Sequence, residues 1–168
     1  ARLRDFVAQA SHRGIVVEVN LFCPFCQESM WALSPFNAAN NVNGLGSVEQ
    51  ATGRRVNARN AYDEARALYR QVGNRKAEAS VLIDIGTLEE QIARREKARE
   101  AFEEALAIYR DVHDTKSEAH TAYRLGLLLE KADAGAARPY YELAAELYLK
   151  VDEKRLYECV VGNLKELE

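Results

Sequence analysis

The 168-residue sequence carries 23 basic and 26 acidic side chains, interspersed, for a net charge of −3. That balance excludes a surface devoted to the phosphate backbone of nucleic acid. Three cysteines in a chain of this length exclude a disulfide-built secreted scaffold, and 48% apolar residues are sufficient for a continuous core.

Residues 1–33 stand apart from the rest. Leu3, Phe6, Val7 and Ala10 have the spacing of a short amphipathic helix that Gly14 ends, and Ile15 to Phe22 reads as a β-branched strand. Glu18 and Asn20 interrupt the apolar stretch from Gly14 to Phe25, which is too short to span a bilayer. No signal peptide is read in the opening residues, so a cytoplasmic protein that does not engage membranes is expected. Cys23-Pro24-Phe25-Cys26 follows, and then a short helix over 27–32.

The helix, strand, CxxC and helix order resembles the thioredoxin and glutaredoxin families over barely thirty residues. The resemblance implies Cys23 as an attacking thiolate at a helix N-terminus and Cys26 as the resolving thiol. Three readings stay open. The segment is a divergent preceding repeat packed through Phe22, Phe25, Met30 and Trp31, or a thiol redox site, or half of a zinc site. Against the first, Pro24 would fall in mid-helix. Against the last, Cys159 and the histidines His12, His113 and His120 are scattered, and no metal or other cofactor is assigned.

From residue 34 onward the sequence repeats. Ala58, Tyr62 and Ala65 recur as Ala98, Phe102 and Ala105, 40 residues on, and as Ala137, Tyr141 and Ala144 after a further 39. Each copy then reaches a tyrosine (Tyr69, Tyr109, Tyr148) and, three residues later, a valine (Val72, Val112, Val151). Upstream, Leu45-Gly46, Ile85-Gly86 and Leu125-Gly126 correspond. Within a unit, Tyr62, Ala65, Leu68, Tyr69 and Val72 share one helical face, as do Leu82, Ile85, Leu88 and Ile92. Antiparallel pairs are therefore predicted over 36–52 with 55–72, 76–92 with 95–112, and 116–131 with 134–150. A final helix over 153–167 would cap the third pair. Ser34 is the expected N-cap of the first helix, with Pro35 in its first turn. Gly53, Gly73 and Asp133 to Gly135 mark joins.

These residues resemble the tetratricopeptide repeat (TPR) family over roughly 37–168. Leu-Gly in each first helix and Ala-aromatic-Ala in each second helix supply the pattern. The period is near 40 rather than the usual 34, and Glu49, Glu89 and Leu129 stand where the pattern places an aromatic. The resemblance implies an all-α, right-handed superhelical solenoid of about three helix pairs plus a capping helix, following a divergent segment at 1–33. It also implies a protein-protein interaction scaffold, not an enzyme, that binds a peptide or protein segment in a concave groove. Family groove positions carry over to Asn40, Asn43, Ser47 and Gln50, to Asp84, Thr87 and Gln91, and to His120, Tyr123 and Arg124. Tyr123 and Arg124 are the expected interface anchors.

The asparagines Asn37, Asn40, Asn41 and Asn43 are dense for one helix, and amides suit a peptide backbone. The alternative is a solvated face. A clamp for acidic chaperone tails is not expected, because Asp84 would repel a carboxylate. Gly44-Leu45-Gly46 is read as close helix packing, not a nucleotide loop. A terminal repeat face is a further candidate surface for homo-oligomerisation.

Overall fold

A computed structural model describes residues 35–167. Among them seven helices follow one another and no strand is present: α1 (Pro35–Ala51), α2 (Arg55–Gln71), α3 (Arg75–Gln91), α4 (Arg95–Asp111), α5 (Thr115–Glu130), α6 (Ala134–Lys150) and α7 (Lys154–Glu166). The expected N-cap Ser34 lies outside the described residues. So do the readings placed on residues 1–33, including Cys23 and Cys26.

The joins are short, and all but the one between α5 and α6 turn through a left-handed residue. Gly53 and Gly73 adopt φ of 78° and 71°, and Ala93, His113 and Asp152 take φ of 56–60° at equivalent places. Beyond each of these, an amide reaches back five residues, as in Asn74 N to Tyr69 O at 2.9 Å and Asp114 N to Tyr109 O at 3.0 Å. This Schellman-type closure satisfies terminal carbonyls that would otherwise be orphaned. Asn74, Asp114 and Asp133 then cap α3, α5 and α6, each accepting from the amide three residues on at 3.1 Å.

The pairs α1/α2, α3/α4 and α5/α6 pack as the repeat predicts, and α7 closes the third pair through the fully buried Val160 with Leu156, Tyr157 and Leu164. In every pair a glycine of the first helix receives an aromatic ring of the second. An added Cβ would stand 2.6 Å from Tyr62 Cδ1 at Gly46, 2.6 Å from Phe102 Cδ1 at Gly86 and 2.5 Å from Tyr141 Cδ1 at Gly126. Those distances are below any real contact, so the Leu-Gly element is a steric requirement of the helix crossing. The rings are fully buried, each contributing about 1.5–3 kcal/mol of hydrophobic stabilisation. Val72 and Val112, expected on the buried face, are more exposed because each is the C-cap residue of its helix.

Two sets of carboxylates also belong to the interior. Glu78 is completely buried and accepts from Arg70 at 2.6 Å and from Arg75 at 2.7 Å. Glu118, one repeat later, accepts from Arg110 at 2.9 Å. Glu49 and the buried Glu89 take the aromatic's place in α1 and α3 by bonding arginines, Glu49 to Arg54, the N-cap residue of α2, and Glu89 to Arg59 of the preceding helix α2. A buried carboxylate persists only with such partners.

Candidate partner-binding face

The polar side chains that sequence reasoning assigned to the groove all lie on α1, α3 and α5. Many are tied to one another or to tyrosines of the second helices. Positions 40, 80 and 120 are equivalent. Tyr69 donates to Asn40 Oδ1 at 2.5 Å, Tyr109 bonds Ser80, and the Tyr148 hydroxyl lies 3.5 Å from His120 Nδ1. Burial raises the pKa of all three phenols, Tyr109 and Tyr148 to about 12, so they remain protonated at neutral pH and available as donors.

A second row lies about three turns further along. Tyr62 donates to Gln50 Oε1 at 2.7 Å, and Tyr141 donates to Glu130 Oε2 at 2.6 Å. The intervening unit has Phe102, which lacks a hydroxyl. There the Arg124 guanidinium lies 5.2 Å from the ring centroid and donates to Glu90 Oε2 at 3.1 Å and to Thr87 Oγ1 at 3.1 Å. Arg124 thus replaces the missing phenol and links α5 to α3. Gln50 Nε2 to Gln91 Oε1 at 3.1 Å makes the corresponding link between α1 and α3.

Tyr123 sits half-buried against Tyr141, with its hydroxyl 3.4 Å from Cys159 Sγ and accepting from Asn163 Nδ2 at 3.4 Å. Ser47 is exposed and donates to Asn43 O at 3.3 Å. Tyr123, Arg124, Gln50 and Gln91 are therefore structural links as well as surface groups, which spacing alone does not reveal.

Asp84 is the exception. It is more than half buried, and burial raises its pKa to about 6 against the opposing hydrogen bond of Asn43. None of the ion pairs among the described residues includes it. Asn43 Oδ1 is itself buried without a hydrogen-bond partner. Asp84 also raises the pKa of Tyr62, Tyr69 and Tyr109, which places its charge among those phenols.

Beside Asp84 opens a cavity of about 340 Å³ lined by Ser80, Ile83, Tyr109, Lys116, His120 and Tyr148, among others. Sequence reasoning found Asp84 and His120 but not Ser80, Lys116 or the two tyrosines. The 40-residue equivalence of Asn40, Ser80 and His120 was the available signal. Among the described residues, no group of three or more His, Cys, Asp or Glu gathers as a metal site, and no helix is long and apolar enough to cross a membrane.

The Gly-aromatic crossing, the helix pairing and the 40-residue step now stand together, and residues 36–111 match the family model described as tetratricopeptide repeat. The match supports a tetratricopeptide repeat family for residues 36–111, and the seven described helices are consistent with an all-α TPR-like repeat solenoid. TPRs are generally protein-interaction modules. No curated protein matches the chain.

Proposed function

We propose that this TPR solenoid is a non-enzymatic scaffold that holds an extended or helical peptide segment of a protein partner along the face formed by α1, α3 and α5. The observation that carries this reading is the contrast between the linked side chains Gln50, Gln91 and Arg124, which fix the face rigidly, and the open cavity beside Asp84 and His120. A preorganised face with a few unsatisfied polar groups loses little entropy when a segment docks.

The test is selection of peptides from a randomised displayed library on the full chain. Selected peptides are then measured against Ser80→Arg, which fills the cavity, and Glu100→Arg, on the exposed side of α4. Loss of at least tenfold in affinity with Ser80→Arg alone supports the groove. Peptides insensitive to Ser80→Arg but sensitive to Glu100→Arg would move the binding surface to the second helices.

A further inference from the structure

We propose that the cavity between α3 and α5 is a docking site for one basic side chain, a lysine or arginine of the partner segment, with Asp84 as its counter-ion. This rests on the groove reading above and specifies the chemistry the groove selects.

Three basic side chains, two in the lining and Arg124 nearby on α5, are candidates to neutralise Asp84, and each is otherwise engaged or uncharged. Lys116 Nζ is paired with Glu153. His120 has its pKa lowered by burial and by the neighbouring Arg124 charge, and is neutral. Arg124 itself is turned to Glu90 and Thr87, and stacks over Phe102. Asp84 is left with the Asn43 amide and no cation among the described residues. A half-buried carboxylate without a cation costs the fold stability, so a ligand that brings positive charge recovers that cost on binding.

The walls suit a cation as well. Tyr109 and Tyr148 line the cavity, Tyr109 senses the Asp84 charge, and aromatic rings near a carboxylate favour an ammonium or guanidinium over a neutral group. Ile83 and Leu156 in the lining offer contact to the aliphatic stem of a lysine or arginine. An acidic side chain would instead meet Asp84 directly.

The experiment uses the full chain labelled with ¹⁵N and titrated with N-acetyl-lysinamide, N-acetyl-argininamide and, as the uncharged control, N-acetyl-norleucinamide. Saturable shifts of the Tyr109 and Thr121 amides are expected with one or both basic probes, absent with norleucinamide. They should be at least tenfold weaker in Asp84→Asn, with Asp84→Ser as a second neutral variant. The same spectra report whether each variant is folded. Shifts that norleucinamide reproduces, shifts that survive in both Asp84 variants, or no saturable shift in the wild-type chain would each overturn the proposal. Failure here while displayed peptides still depend on position 80 removes the cation site and leaves the groove. Cation binding without groove-dependent peptides does the reverse.

Discussion

Phe102 occupies the space that a side chain on Gly86 would need: a Cβ there would stand 2.6 Å from the ring Cδ1, and closer still to Cε1. Gly44, two residues before the equivalent Gly46, has nothing within 4 Å of its added Cβ. The same substitution therefore has opposite effects at the two places. Gly86→Ala forces the buried ring to move, at about 1–3 kcal/mol, partly offset by the better helix propensity of alanine. Gly44→Ala keeps only the propensity gain, about 1 kcal/mol. Urea denaturation should show a lower midpoint for the first and a higher one for the second. Phe102→Leu should reduce the penalty of Gly86→Ala in a double-mutant cycle.

The left-handed joins give a second pair of opposed outcomes. Gly73 sits at φ 71° and Ala93 at φ 60°, in equivalent turns. A Cβ in that region costs about 1 kcal/mol. Gly73→Ala should lose, and Ala93→Gly should gain, somewhat less than that amount, since glycine also gives the unfolded chain more freedom. Matched thermal melts decide it, and a Tm that falls for Ala93→Gly would refute the strain account.

Asp84 should make stability depend on pH in a specific direction. Its pKa is about 6 in the folded chain against an ordinary 3.8, so the native state holds the proton more tightly. Below about pH 4 the carboxyl is neutral in both states, and nothing is lost. As pH rises through 6 the folded state must bear a half-buried charge, and stability falls. Asp84→Asn should therefore exceed wild type in urea midpoint above pH 6, and the two curves should meet below about pH 4. A constant difference across that range would mean that the carboxylate charge is not the cause.

Glu78 separates interior from surface ion pairs. It is fully buried among Arg70, Arg75 and Arg66, whereas Glu96 is largely exposed and only 3.9 Å from Arg99. Glu78→Ala should destabilise by about 3 kcal/mol, near the low end for breaking a buried pair because the arginines can turn to water. Glu96→Ala should change stability by less than about 0.5 kcal/mol. Equal effects in equilibrium unfolding would contradict the burial.

The helix pairing was legible because it needs only local information. Tyr62, Phe102 and Tyr141 recur at a fixed step, and the glycines opposite them are the sole residues small enough to admit the rings. Glu78 and Glu118 were not legible, because a glutamate in the first turn of a helix beside a lysine two residues earlier reads as solvated. Only the shared spacing of Arg70 to Glu78 and Arg110 to Glu118 carried the information. Leu45 shows a different limit. Its sequence context matches Ile85 and Leu125, which are buried, yet it is 52% exposed, and Val48 beside it is 56% exposed while its equivalents Leu88 and Leu128 are buried. Periodicity tells a residue which way it faces, but burial also needs a neighbouring helix pair on that side. On the candidate face, residue type marked Arg124 and Tyr123 as anchors. Their links to Thr87, Glu90 and Asn163 depend on side-chain reach between repeats, which spacing does not encode.

The helices begin at residues 35, 55, 75, 95, 115, 134 and 154, so the true step of the architecture is a single helix and turn of about twenty residues. Direction alternates with every step, which gives the chain a parity. An insertion of two steps after Gly73 would return all later helices to their original sense and lengthen the surface by one stripe. An insertion of one step would keep the α3/α4 and α5/α6 pairs with their glycine–ring contacts but reverse their sense relative to α1 and α2, breaking links across the insertion such as Gln50 to Gln91. Growth and loss between the described pairs are therefore constrained to even numbers of helices.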